Sequence, residues 1–398
     1  MSEKQKRSRF WLTIFLGVMS AMAPLSTDMY LPALPLMPAE FGAETSMIQL
    51  TLTMTMAGMA IGQIFAGPIS DMRGRRGPLL IGMLLFAVSS MVCVLAQSIW
   101  LFLFFRFVQG LSGAAGIVIS RAIARDVCEG PELTRFFSLL MLVNGLAPIL
   151  APVIGGQILL FTSWRGIFVL LVVVGVLLCG ATLLFHETLP PAERQSGLGT
   201  SFQAFRHLLT DRYFLGHCLM QCFTFGAFFA YIAGSSFVFQ NIYGVSAQGF
   251  SMIFGGIGLV IALFGILPAR LAGRVADVKL LHISLAQAFI GSVLVLACVL
   301  LQASLVWLLL ALLVMIPTIS VLGAASFSLA MRAHGKEAGS ASALIGFFSM
   351  ILGGVMAPLV GIAGSANALP MAVIMLLGES GALVIYYTMI APAHRPGR

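Results

Sequence analysis

Three charged residues stand inside long apolar stretches of the chain: Asp28, Arg106 and Glu379. If these stretches cross a membrane, such charges are costly and are candidates for function by default. Removal from water favours the neutral form of a carboxyl group, so Asp28 could bind and release a proton near neutral pH. Arginine keeps its proton, so Arg106 needs an anion or water close to it. The residue types therefore indicate a buried acid that binds a proton and a buried cation whose charge must be matched.

The expected depths of Asp28 and Arg106 are similar. At 1.5 Å per residue, Arg106 lies roughly 10 Å below the external face and Asp28 roughly 5 Å below it. We expect the two charges to communicate, directly, through water or through Gln109. Two other interpretations remain: a fixed structural ion pair, and an Asp28 just outside the hydrocarbon. For Glu379, a cavity role, a pairing within its own half and an oligomer contact remain open.

A second group of charges lies in a short loop after an apolar segment. Gly74 allows a tight turn there, between Asp71 and the pair Arg75 and Arg76. We expect Arg75 to pair with Asp126, and Asp71 to accept hydrogen bonds from a helix amino terminus, whose dipole favours an anion. The four residues would form a conformational latch. The alternative for the arginines is simple anchoring at the cytoplasmic membrane surface.

Two further sets of residues are predicted from their types. Proline bends a helix and glycine allows close helix contact, so one segment could act as a hinge or as a packing surface. The hinge set is Gly145, Pro148, Pro152, Gly155 and Gly156. Polar and aromatic residues at membrane depth could line a substrate cavity. The cavity set is Asp28, Tyr30, Arg106, Gln109, Asn144, Gln221, Phe225 and Tyr231.

The composition predicts the elements that position these residues. Of 398 residues 59% are hydrophobic and 9% are charged, whereas a soluble domain has roughly a quarter charged residues. This excludes an ordinary soluble enzyme and a disordered chain. The stretches 213–269 and 280–331 contain no Asp, Glu, Lys or Arg. Each is more than twice the length of one membrane span of about 20 residues, so each must be a helical hairpin.

The sequence therefore predicts an all-α membrane protein with twelve transmembrane helices in two six-helix bundles. The helices are placed near 10–31, 46–69, 78–96, 99–120, 136–160, 166–186, 213–239, 248–269, 280–301, 305–330, 338–362 and 369–390. The amino-terminal bundle is 1–186, the cytoplasmic central loop 187–212 and the carboxy-terminal bundle 213–398. Two related bundles suggest a substrate site between them near the bilayer midplane.

The basic residues support this topology independently. Of the 22 Lys and Arg, 20 fall in the termini and in the loops on one side of the predicted membrane. Only Arg165 lies on the other side, and Arg106 lies within a span. Because positive residues accumulate in cytoplasmic loops, both termini are expected in the cytoplasm.

Several motifs along the whole chain, in order and at helix ends, resemble those of a known family. They are TDMYLPALP (27–35), GPISDMRGRR (67–76), RFVQGLSGAAG (106–116), RAIARD (121–126), APILAPVIGG (147–156), the Trp164-Arg165 pair and ETLPP (187–191). The chain resembles the major facilitator superfamily, and within it the twelve-span drug/proton antiporters of the Bcr/CflA (bicyclomycin and chloramphenicol resistance) group. It departs from the family pattern at Met72, where a basic residue is usual, and at Ala151-Pro152, where Gly-Pro is usual.

The resemblance implies a proton-coupled multidrug efflux transporter of a bacterial inner membrane. It links the arginine at position 106 with proton transfer, and it places Asp71 against the helix that starts near Ala338. Small amphipathic drugs, protons and the lipid bilayer are the expected partners, with no nucleic acid, and a monomer is expected. Neither a cofactor nor a metal is expected, and the chain is not expected to be an enzyme. A proton-coupled nutrient uptake carrier and, from another class, a non-transporting receptor or scaffold are the alternatives.

Overall fold

The structure, a computed structural model, is helical, with no strand in the residues that it describes. These are 3–127, 143, 146–194, 199–271, 274–331 and 338–394. The long helices are α1 (Glu3–Asp28), α2 (Thr45–Arg73), α3 (Arg76–Leu95), α4 (Ile99–Val127), α5 (Leu146–Ile158), α6 (Trp164–Leu184), α7 (Arg212–Phe237), α8 (Ala247–Gly265), α9 (Asp277–Leu300), α10 (Leu305–Met315 and Thr318–Met331), α11 (Ala338–Val360) and α12 (Leu369–Ile385).

Eleven described helices are long and apolar enough to cross a membrane. The remaining one, α5, is a shorter apolar helix in the described part of the chain, because most of the predicted segment before Leu146 lies outside the described residues. The predicted fold class, an all-α protein of many membrane-spanning helices, is confirmed. The chain is a multi-pass membrane protein.

The helix ends follow from local sequence. α1 ends at Asp28, three residues earlier than predicted, and the proline-rich segment Leu31–Leu36 continues as a 3₁₀ helix. Proline lacks a backbone N–H, so Pro317 interrupts α10 between its two parts. The short helix Gly199–Thr210 lies in the predicted central loop.

The chain forms two compact units. The first comprises Met1–Ala33 and Met54–Leu198, and the second comprises Leu34–Thr53 and Gly199–Arg398. The division after Leu198 falls in the predicted central loop. The segment Leu34–Thr53, which we predicted to belong to the amino-terminal bundle, is grouped with the second unit by its contacts.

In the first unit α4 is the central helix, and glycine allows its neighbours to approach closely. Gly110 faces the backbone of Thr55 on α2, and Gly116 faces the backbone of Met19 on α1. Helix α3 packs against both α4 and α6. Because the backbones are in contact at these glycines, side chains one turn away on α4 are held inside the unit.

In the second unit α7 has the central position and packs against α11 and α12. Gly353 of α11 faces the Phe229 ring, and Gly378 of α12 faces Phe223 and Ala227. The first turns of α2 also belong to this unit, where the Gln49 amide donates to the carbonyl of Ala233 at 3.0 Å. A buried apolar cluster from α7, α9, α10 and α12 forms part of its core.

Candidate functional site

Arg106 is completely buried in the first unit, within a group of aromatic rings. Its guanidinium carbon lies 4.4 Å from the centre of the Tyr30 ring and 5.5 Å from that of Phe168. Phe102 and Trp164 meet the Phe168 ring edge-on, with ring centres 5.3 and 5.7 Å away. Aromatic faces attract a desolvated cation by about 2 kcal/mol, so these rings hold the charge in place without neutralising it.

The polar contacts of Arg106 form a short chain between α4 and α3. The guanidinium donates to the Gln109 side-chain oxygen. The Gln109 amide donates to the Ser90 hydroxyl at 2.7 Å, and that hydroxyl donates to the Phe86 carbonyl at 2.7 Å. The whole chain is neutral apart from Arg106, so it orients the guanidinium without supplying a negative charge.

Two nitrogens of Arg106, Nε and Nη2, are buried and have no hydrogen-bond partner among the described residues. An unpaired buried donor costs about 1–3 kcal/mol, and more when the group is charged. Arg106 therefore has three N–H groups, one on Nε and two on Nη2, available for an anion or for water.

Asp28, the last residue of α1, is also buried in the first unit, at 6% exposure. The hydroxyl of the preceding Thr27 donates to the carbonyls of Ala23 at 3.1 Å and Pro24 at 3.3 Å within α1. Immediately after it, the Met29 carbonyl lies against Gly155 of α5, where a larger side chain would not fit. Helix α5 therefore contacts the backbone beside the carboxyl group.

The structure brings some of the predicted residues together and keeps others apart. Tyr30 contacts Arg106, and Arg106 contacts Gln109. Asp28 and Arg106 form no ion pair in the described structure, although Tyr30, which covers the guanidinium, is only two residues from Asp28. Of the other predicted residues, Asn144 and Gly145 lie outside the described residues.

The remaining hinge residues lie in α5. Pro148 and Pro152 are in the described part of this helix, and Gly155 and Gly156 are near its end. At Gly155 the close approach of another backbone explains why glycine is required.

On α7 the predicted cavity residues contact other aromatic residues of the second unit. The Tyr231 ring is stacked on Phe254 of α8, with centres 5.5 Å apart, and the ring of Phe225 lies 6.3 Å from that of Phe228. Gln221 and Tyr231 are buried. Glu379 is buried in α12 of the same unit.

The loop between α2 and α3 contains a network of charged groups. Arg75, at 6% side-chain exposure, donates to Asp126 at 2.9 Å, to the Ser70 hydroxyl at 2.9 Å and to Asp71. A partly buried guanidinium between two carboxylates is a strong arrangement, because its hydrogen bonds to both acids are charge-assisted. These favourable charges raise the pKa of Arg75, although burial opposes them.

Arg76 is exposed and donates to the Leu183 carbonyl at 2.6 Å. The structure thus brings Arg75, Asp71 and Asp126 together within the first unit. Asp71 was expected to contact the amino terminus of α11. The segment 332–337, directly before that helix, lies outside the described residues, so the contact stays a prediction.

The sequence analysis did not assign a role to Glu187, which caps the amino terminus of α3. Its carboxylate accepts from the backbone N–H groups of Arg75 at 2.8 Å and Arg76 at 3.2 Å, and from those of Thr188 and Leu189 at 3.1 Å. Burial disfavours the charged carboxylate, but the four N–H donors outweigh it and lower the pKa of Glu187. The signal was present in the motif ETLPP, where an acid precedes a turn.

We predict that Glu187→Gln lowers the melting temperature at neutral pH and has little effect in acid. The native pKa of Glu187 is lowered, so its stabilising contribution is present above the pKa of the unfolded chain. It disappears as the pH falls through the native value. Thermal unfolding of the purified protein across this pH range measures the difference. Glu44→Gln, at an exposed carboxyl, serves as the control, and an equal shift in both variants would contradict the cap.

The comparisons with known proteins agree with this architecture. The model of the Major Facilitator Superfamily matches residues 16–358. The chain belongs to the Major Facilitator Superfamily. This major facilitator protein is therefore a membrane transporter and not an enzyme.

Two relatives cover almost the whole chain. An uncharacterized MFS-type transporter, YdgK of Bacillus subtilis, is 42% identical over 375 residues, 93% of each chain. A bicyclomycin resistance protein homolog of Haemophilus influenzae is 30% identical over 370 residues, covering 92% of this chain and 93% of its own. The resemblance to the bicyclomycin resistance group is thereby confirmed.

The fold is also that of solved transporters. A bacterial homolog of the human lysosomal transporter Spinster, in an inward-facing and unoccupied conformation, matches with a TM-score of 0.73. The match covers 98% of this chain and 99% of the other at 14% identity. At this identity the similarity shows the fold alone.

Proposed function

We propose that this transporter exports small amphipathic drugs across a bacterial inner membrane in exchange for protons, by alternating access. The observation that carries the proposal is the state of Arg106, a buried cation with two nitrogens that bond to no described residue, in the same unit as the buried acid Asp28. Similarity to a bicyclomycin resistance protein homolog supports drugs as the cargo. The one-sided distribution of Lys and Arg supports termini in the cytoplasm.

In the proposed cycle Asp28 binds and releases the proton. Deprotonated Asp28 and Arg106 attract each other, which favours a cargo-binding arrangement on the inner side. Opening to the outside lets a proton reach Asp28, which cancels this attraction and weakens cargo binding. The protonated protein then returns and gives up its proton inside.

The driving force limits the gradient that this cycle can maintain. One charge moving through 100 mV supplies about 2.3 kcal/mol. That energy corresponds to a concentration ratio of roughly fiftyfold per proton. Such a ratio suffices to keep the cytoplasmic concentration of a drug well below its external concentration.

We predict that Asp28→Asn abolishes drug-induced proton movement in proteoliposomes. Asparagine has a similar shape and cannot carry the proton, so transport coupled to a pH gradient should fall to the level of protein-free liposomes. A pH-sensitive dye trapped in the lumen reports the proton flux when bicyclomycin or chloramphenicol is added. Glu44→Gln should behave like the parent protein.

The direction of transport is tested in cells. Export predicts that an uncoupler raises drug accumulation, whereas an uptake carrier predicts that it lowers accumulation. In the proteoliposome assay, drug-induced proton movement that persists in Asp28→Asn would remove Asp28 from the mechanism. Accumulation that needs the proton gradient would favour the uptake carrier instead.

A further inference from the structure

Glu379 is a buried carboxyl group that the proposed cycle does not use. It lies in α12 of the second unit at 2% exposure, and its Oε2 atom has no hydrogen-bond partner in the part of the chain that the structure describes. An ionised carboxylate without a partner in an apolar interior is strongly disfavoured, because neither water nor a counter-charge stabilises it. The neutral, protonated form is the one that fits these surroundings.

Close helix packing fixes the level of Glu379 within the unit. The neighbouring Gly378 faces the Phe223 carbonyl and Ala227 on α7, and Gly381 faces the Phe223 ring. Glu379 therefore lies at the level of 223–227 on α7. Backbone atoms contribute to this placement, because Gly378 meets the Phe223 carbonyl and the Ala227 nitrogen.

At this level α7 also has polar atoms without partners. The Thr224 hydroxyl and the Gln221 amide nitrogen are buried and unpaired, at 3% and 5% exposure. Helical hydroxyls usually donate to the carbonyl four residues earlier, as Thr182 and Ser349 do here. We call Gln221, Thr224 and Glu379 the polar layer of the second unit. Each of the three side chains has a polar atom to which a water molecule could bond.

Among the described residues, no Lys or Arg is placed to hold an anionic Glu379. Helix α12 packs against α7, α9 and α11. The stretches 213–269, 280–331 and 338–378 contain no Asp, Glu, Lys or Arg, and they cover α10 and nearly all of these three helices. Asp277, Lys279 and Arg212 remain, at the beginnings of α9 and α7. The His282 ring near them packs on Tyr386, seven residues and about 10 Å from Glu379 along α12.

The other titratable groups of α7 also lie elsewhere. Gly216 packs on Met389, which places His217 about ten residues, or 15 Å, away along the helix axis. Cys218 is near that same end of α7. Cys222 is at the right level but faces the backbone of Leu352 on α11. Glu379 is therefore an acid without a nearby base.

We propose that Glu379 is a proton-binding site of the second unit, separate from Asp28. It holds a proton in the described conformation and releases it to water when water reaches the polar layer. The proton is the ligand, and Gln221 and Thr224 stabilise the carboxylate that remains. The proposal requires neither a role for Asp28 nor a particular direction of transport.

Infrared spectroscopy of the protein in lipid bilayers tests this directly, because a protonated carboxyl has its own C=O stretching band. The parent protein at neutral pH should show a component that Glu379→Gln lacks. The component should be displaced in Glu379→Asp and unchanged in Asp28→Asn and Glu44→Gln. Raising the pH should remove it from the parent spectrum, as the proton leaves to water.

Two results would overturn the proposal. An identical band in the parent and in Glu379→Gln at neutral pH means that Glu379 is ionised. A Glu379 component that persists at every pH at which the protein stays folded means a fixed structural hydrogen bond. If Glu379→Gln does not fold, the displaced band of Glu379→Asp supplies the assignment. No drug is added, so failure here leaves the drug/proton exchange to be judged by its own assay.

Discussion

Arg106→Met is expected to abolish proton-coupled transport while the protein stays folded. Methionine removes a buried charge, whose burial costs several kcal/mol. It also removes the attraction to Tyr30, about 2 kcal/mol, and the charge-assisted bond to Gln109, about 1.5–3 kcal/mol. These terms nearly cancel, so the free energy of unfolding should change by less than about 2 kcal/mol. Transport, which needs the positive charge near Asp28, should fall at least about tenfold, or 1.4 kcal/mol.

The matched variant is Arg106→Lys, which keeps the charge and loses the planar guanidinium. We expect partial transport from it, because lysine still attracts a carboxylate but cannot stack between Tyr30 and Phe168 in the same way. Proton flux and thermal unfolding are measured on the same preparations. Full coupling in Arg106→Met would show that the guanidinium is structural. A large loss of stability in Arg106→Met would mean that an anion holds the Arg106 guanidinium in the parent protein.

The second large effect is expected at Gly155. A methyl group there would collide with the Met29 carbonyl, so Gly155→Ala must push α5 away from the end of α1. Overpacking usually costs about 1–3 kcal/mol, and here the obstacle is backbone, so we expect about 3 kcal/mol or more. Because Met29 follows Asp28, the variant should lose both thermal stability and proton coupling.

Gly180→Ala provides the control for this substitution. Gly180 lies in α6 with no other atom within 4 Å of the added carbon. Alanine at such a helical position should be neutral or stabilise by about 0.5–1 kcal/mol. Yield from membranes and thermal unfolding in detergent measure both variants. Equal behaviour of Gly155→Ala and Gly180→Ala would mean that α5 does not press on Met29.

Much of the fold could be read from the chain because a membrane imposes simple rules. A span needs about 20 apolar residues, and its backbone must bond internally. The charge-free stretches therefore predicted the helices, and the uneven distribution of Lys and Arg predicted their direction. Exact ends were less certain: the end of α1 depends on the prolines that follow Asp28, and the break in α10 depends on Pro317.

The candidate residues were also visible in part, because the cost of a buried charge depends on residue type and on an apolar context. Asp28, Arg106 and Glu379 stand out for this reason alone. The groups that surround these residues cannot be predicted in the same way, because rotation of a helix by a fraction of a turn decides which side chains meet. The sequence allowed a direct ion pair of Asp28 with Arg106, whereas the tertiary structure places Tyr30 and Gln109 at the guanidinium.

Local composition thus determined that this protein crosses the membrane many times and that three of its charges are buried. Only tertiary structure decided that Glu187 caps a helix more than a hundred residues earlier in the chain, and that Gly155 meets Met29. Hydrophobicity is a property of each residue and its neighbours along the chain. Contacts between distant residues depend on how whole helices pack, and a few ångströms in that packing change the partner of every polar group.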